Sequence, residues 1–138
     1  MYLLNNVVDA LRVEIKKKGY KKNRLSWYKI KDGLTLVFSI QKSQYSMDTW
    51  FYSFGICVHE IATGSKTSID GCQIKYRMDN VINGESVPIE SIILLLDRWE
   101  SMYGDLGQLH VSAVQGKLPM QSTLKAIRYL SSVDLSAI

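Results

Sequence analysis

From Arg24 to Gln41 the chain reads RLSWYKIKDGLTLVFSIQ, with β-branched and aromatic residues on both sides of Asp32-Gly33, and that pattern predicts a β-hairpin. Asp-Gly is the pair that supplies the two positive-φ positions of a type I′ turn. With the turn placed there, Lys31 falls opposite Leu34, Lys29 opposite Leu36, Trp27 opposite Phe38 and Leu25 opposite Ile40. One face then carries Leu25, Trp27, Leu36, Phe38 and Ile40, and needs a cover. Upstream, Leu4, Val7, Val8, Leu11 and Ile15 recur at helical spacing while Arg12, Glu14 and Lys16 lie off the stripe, so residues 3 to 18 predict an amphipathic helix able to cover it. Gly19 closes that helix in the left-handed position, and Lys16, Lys17 and Lys18 sit at its negative end.

Residues 42 to 49 are polar and aperiodic, a connection with exposed backbone. Alternation resumes with Trp50, Tyr52, Phe54, Ile56 and Val58 on one face and Phe51, Ser53, Gly55, Cys57 and His59 on the other. Gly55 removes a side chain from the second face, which implies close approach of another element or a bulge. Ala62 to Gly71 has turn-forming composition and predicts a mobile loop. Cys72, Ile74, Tyr76 and Met78 then alternate inward, with Gln73, Lys75, Arg77 and Asp79 outward. Ser86 as N-cap and Pro88 in the first turn open a second helix with the stripe Ile89, Ile92, Ile93, Leu96 and Trp99, stopped by Gly104. Residues 105 to 117 read as a short strand or an irregular crossing, and Leu124, Ile127 and Leu130 predict a last helix from Ser122 to Ser131. The expected architecture is a single α+β domain over residues 1 to 138, a four-stranded antiparallel meander sheet with the N-terminal helix and two C-terminal helices packed mainly on one face.

Composition narrows the class. At 138 residues and 46% hydrophobic, the chain is long enough for one substantial core. It has no apolar run of membrane-spanning length, and its first charges follow the apolar part instead of preceding it, so a cytoplasmic protein is expected, with no membrane partner. Cys57 and Cys72 make no disulfide framework and read as reduced core residues. The net charge of +4 is local: residues 16 to 24 hold six of the 17 basic residues, leaving 11 against 13 acidic ones elsewhere.

Candidate chemistry is sparse. Cys57 and His59, two apart on a strand, share a face and are near enough to share a metal, but paired Cys-x-x-Cys or His-x-x-x-His spacing is missing, and no metal or other cofactor is expected. Lys42 and Ser43 point to opposite sides of an extended chain, and GSKTS is no phosphate loop, so no enzyme is expected. The basic cluster is the best ligand-directed feature. Lys17, Lys18, Lys21, Lys22 and Arg24, interleaved with Tyr20 and followed by Trp27 and Tyr28, fit a nucleic-acid-binding module. The bland counter-reading is equally physical: lysines close a helix and guard a sheet edge.

Taken in order, Lys17-Lys18-Gly19-Tyr20, Trp27-Tyr28, Leu36-Val37-Phe38, Gln41-Lys42-Ser43, Phe54-Gly55-Ile56 and Cys72-Gln73-Ile74 make the chain resemble a bacterial domain-of-unknown-function family (DUF4304-like), over roughly residues 5 to 80. Ser53 and Phe54 depart from that family's Asn-Leu pair. The resemblance implies a small α+β bacterial protein with no established activity, and Gln41, Lys42 and Ser43 as its most characteristic polar triplet. The function expected first is a protein-binding module, such as an immunity protein neutralising a toxin, that uses the exposed sheet face and the loop after Lys42, with Gln41, Lys42, Ser43, Tyr45 and Trp50 as contact residues. If the basic patch were the interface, a basic toxin would be repelled. The alternative is nucleic-acid binding through the basic cluster, with strong salt dependence.

Overall fold

The computed structural model describes residues 4–42, 50–82, 89–119 and 122–132, with side chains except those of residues 4–8, 41, 42, 50, 77–82 and 89. In chain order the elements are α1 (Leu4–Lys17), β1 (Lys21–Asn23), β2 (Ser26–Lys31), β3 (Leu34–Lys42), β4 (Trp50–Val58), β5 (Ile74–Ile82), α2 (Ile89–Tyr103), α3 (Leu106–Val114) and α4 (Leu124–Ser132), with single 3-10 turns at His59–Ile61 and Ile69–Gly71. The strands form one antiparallel sheet in the order β1-β2-β3-β4-β5.

The hairpin register is as the alternation predicts, with Lys31 opposite Leu34, Lys29 opposite Leu36 and Trp27 opposite Phe38. Its turn is not type I′. Gly33 has φ +80° but Asp32 stays outside the left-handed region, so only one of the two positive-φ positions is used. Gly19 closes α1 at φ +90°, with its N–H donating to the Lys16 carbonyl at 3.0 Å.

The sheet has five strands, not the expected four. After Gly19 the basic residues Lys21 to Asn23 fold back along β2 through Arg24-Leu25, with Lys21 opposite Tyr28 and Asn23 opposite Ser26. That turn puts Arg24, not a Gly or Asn, at φ 57° in the left-handed region. A second correction concerns residues 105 to 117, which form α3 rather than a strand or crossing. Asp105 caps it, its Oδ1 accepting from the Gln108 N–H at 2.7 Å, and Leu109 and Ala113, four apart, are buried. Val111 and Val114 point outward, which blurs the helical period in the sequence. The last helix is confirmed as α4, with Thr123 Oγ1 accepting from Ala126 N–H at 3.1 Å. The α2 helix ends at Tyr103 as expected, while the proposed cap Ser86 and Pro88 lie outside the described residues.

The four helices among the described residues cover one face of the sheet. Leu11 and Ile15 of α1, Ile92, Leu96 and Trp99 of α2, Leu109 of α3 and Leu130 of α4 join Trp27, Leu36, Phe38, Ile40, Tyr52, Phe54, Ile56 and Ile74 in one core. Phe38 is its centre, with ring centroids 5.6 Å from Trp27, 5.9 Å from Tyr52 and 5.2 Å from Phe54, and Phe54 hands the contact on to Trp99 at 5.5 Å.

The opposite face is not the open surface expected of it. Thr35, Val37, Ser39, Ser53 and Cys57 are buried. Over part of it lies the Ala62 to Gly71 segment, which packs down: Val37, Cys57, Ile69 and Cys72 form a second cluster, with Tyr28 and Ala62 against it. Gly55 is required there, because a Cβ at that position would lie 2.6 Å from both Cys72 Sγ and Ile69 Cδ1. Close approach is thus the reason for the glycine. The strand irregularity lies elsewhere, between Phe51 opposite Val81 and Ser53 opposite Arg77, which puts extra residues into β5. Cys72 precedes β5 and belongs to this second cluster, so it does not share the inward face of Ile74.

Candidate interaction surface

The basic cluster divides into cations already paired and cations left open. Lys18 Nζ lies 2.6 Å from Asp97 of α2, Lys29 Nζ 2.8 Å and Lys31 Nζ 3.8 Å from Glu100 one turn on, and Lys17 Nζ 3.3 Å from Glu14 within α1. These pairs tie α1 and β2 to α2, and Glu100, 20% exposed at its side chain, is the best shielded of the carboxylates. Among the described residues Lys16, Lys21, Lys22 and Arg24 have no carboxylate partner. Of the five residues expected to contact nucleic acid, Lys17 and Lys18 are thus each paired with a carboxylate. Lys21, Lys22 and Arg24 remain together, exposed, on β1 and its turn.

The aromatic residues interleaved with these cations do not line a surface. Tyr20 is 3% and Trp27 1% exposed. Lys22 Nζ sits 5.9 Å from the Trp27 ring centroid and Lys29 Nζ 5.6 Å from that of Tyr20, so cations close over the ring faces. Burial, then the nearby Glu100 and Asp97 charges, push the Tyr20 hydroxyl pKa upward and keep it neutral. Only Tyr28 of this group is partly open, and beside it on β2 Ile30 is 61% exposed.

β1 is an edge strand of three residues, all exposed. Its signal in the sequence is weak because three of the four residues from Lys21 to Arg24 are cationic and strand propensity there is low. Ile30 was equally hidden, since its neighbours made it look like one more residue of an ordinary alternating strand.

The cysteine and histidine positions resolve into packing. β4 ends at Val58 and His59 enters a 3-10 turn, yet His59 still reaches the face that carries Cys57. Its Nε2 lies 2.6 Å from Thr35 Oγ1, and Thr35 stands opposite Cys57 across β3 and β4. Burial and then Lys66 lower the His59 pKa. Burial raises the Cys57 thiol against a Gln73 hydrogen bond and Lys66, and burial together with Cys57 pushes Cys72 up to about 12. Both thiols are held protonated, the unreactive form. Among the described residues no group of three or more His, Cys, Asp or Glu side chains is placed to hold a metal ion, and no helix is long and apolar enough to cross a membrane.

Of the expected protein-contact residues, Gln41 and Lys42 end β3 and Trp50 begins β4, with Gln41 opposite Phe51 and Lys42 opposite Trp50, at the end of the sheet away from Gly33. Ser43 and Tyr45 lie outside the described residues. Elsewhere, a shallow depression between the end of α2 and α3 is lined by Met102, Asp105, Gly107, Gln108, Val111 and Ser112.

Among known families, one model matches the chain over residues 11–92, that of a domain of unknown function, DUF4304. No curated protein and no solved structure matches the chain significantly.

Proposed function

As this chain belongs to the DUF4304 family, whose description assigns no activity, we propose from its surface alone that it is a non-catalytic protein-binding module, acting through β1 and the turn at Arg24. The observation that carries this is that the cations are open while the aromatic rings are closed. Lys21, Lys22 and Arg24 stay exposed and without a carboxylate partner among the described residues, while Trp27 is buried beneath Lys22 and Tyr20 beneath Lys29. Single-stranded nucleic acid gains affinity by stacking bases on open rings, and those rings are closed. A protein with an acidic face needs only the charges and the edge. A toxin of that character is one such partner, with this module as its immunity protein; that step rests on likeness of size and architecture alone.

Nucleic-acid binding stays as the second reading because the open cations would serve phosphates equally well. Capture from a lysate of the source organism separates the two. The native chain and a Lys21→Glu/Lys22→Glu/Arg24→Glu variant are compared with and without nuclease. The expected result is a protein that survives nuclease on the native chain and is lost from the variant. Retention of nucleic acid alone, lost on digestion, reverses the order of the readings.

A further inference from the structure

We infer that the outer edge of β1 receives an extended acidic segment of the partner as an added strand alongside Lys22, an inference that rests on the protein-binding reading above and specifies its ligand. The backbone supplies the first argument. The Leu25 carbonyl accepts from the Ile40 N–H at 2.8 Å, which fixes the parity of the ladder. Trp27 and Lys29, two and four residues on, likewise turn their peptide groups toward β3, so Ser26 and Tyr28 turn theirs toward β1, where Asn23 and Lys21 stand opposite. Lys22, opposite Trp27, is left with its N–H and C=O facing away from the sheet. Ile30 also turns its peptide group away from β3, and β1 has no residue opposite it, because the β1 pairing ends at Tyr28.

Charge selects the occupant. Edge cations are a common guard against strand addition, and here they repel a second copy of the same edge. They do not repel an acidic strand. Three cations on this edge and its turn, Lys21, Lys22 and Arg24, have no carboxylate partner among the described residues, although Asp97 and Glu100 pair with Lys18, Lys29 and Lys31. Ile30, 61% exposed on the same face as Lys21 and Tyr28, gives an apolar anchor next to the open edge. The fitting ligand is therefore an extended segment that alternates carboxylates with branched apolar residues.

The test uses the full chain and a short, blocked, fluorescent peptide alternating Glu with Val. It is compared with its Lys/Val counterpart, with a form N-methylated at the amides of one edge, and with a single-stranded oligonucleotide, at about 0.15 M salt. Binding is read by anisotropy and, for the Glu/Val peptide, by hydrogen exchange of the Lys22 amide. The expected result is saturable binding of the Glu/Val peptide alone, slower exchange at Lys22, and at least about tenfold weaker binding after N-methylation. A Lys21→Glu/Lys22→Glu variant should lose the peptide and still unfold cooperatively, its thermal midpoint lowered only by the lost contact of Lys22 with the Trp27 ring. Equal binding of the N-methylated form, unchanged exchange at Lys22, or preference for the oligonucleotide overturns the inference. Failure of the peptide while the native chain captures a protein that the Lys21→Glu/Lys22→Glu/Arg24→Glu variant loses overturns the added strand and leaves the binding-module reading. Capture of no protein by either chain overturns that reading.

Discussion

The two faces of the sheet are built from the same strands and are covered in different ways. The helix face presents Trp27, Leu36, Phe38, Ile40, Tyr52, Phe54, Ile56 and Ile74, and four helices are needed to enclose it. Its counterpart presents Thr35, Val37, Ser39, Ser53, Gly55 and Cys57, where small side chains let Ile69 and Cys72 approach the backbone closely. Large residues bring area and demand a thick cover; small ones bring little area and accept a thin one. Polar groups on the second face are tolerated because they have partners. Ser26 and Ser39 hydroxyls meet at 2.9 Å, and Thr35 meets His59 at 2.6 Å.

That contrast ranks the mutations. Phe38→Ala, which removes the ring shared by Trp27, Tyr52 and Phe54, should cost about 3–5 kcal/mol in urea unfolding. Gly55→Ala should cost about 1–3 kcal/mol by overpacking against Cys72 and Ile69. If Gly55→Ala proves the costlier of the two, the thin cover is the more rigid element and the comparison between the faces breaks. Glu100→Gln, at the rim between the helix face and the basic edge, should lose at most about 1 kcal/mol, because Lys29 and Lys31 remain partly solvated. Its loss should shrink as salt is raised, and a loss insensitive to salt would mean that packing, not charge, holds that rim.

The smallest expected effect is in pH. The folded pKa of His59 is lowered below 6.5, so the unfolded chain binds the proton more readily and the associated stability is present above pH 6.5 and fades as pH falls. The folded pKa of Cys72 is raised from 9.0 to about 12, so its stability is present below pH 9 and is lost on the way to 12. Urea midpoints of the native chain and a His59→Gln variant, measured from pH 5 upward, should converge as the histidine protonates, with the alkaline decline unchanged. Parallel acid limbs would show that His59 is not the titrating group.

Much of the architecture was legible because it depends on local periodicity. The α1 stripe with its glycine stop, the hairpin register around Asp32-Gly33 and the alternation along β4 each follow from side chains a few residues apart. Two elements were not legible. β1 is held by its pairing with β2 and turns through an arginine in a conformation that announces nothing in sequence. α3 shows its outward valines as plainly as its buried Leu109 and Ala113.

The candidate site was legible as composition and not as geometry. The cluster of Lys and Arg with Tyr20 and Trp27 could be counted along the chain, and so could the glycine in β4. Which lysines keep their charge for a partner depended on Asp97 and Glu100, which lie on a helix more than sixty residues away and reach Lys18 and Lys29 only after α2 docks. Sequence alone determined which residues face together, since backbone geometry fixes that within each element. Tertiary structure decided which of those faces were spent on the protein's own interior, because burial and ion pairing are settled by what comes to lie opposite.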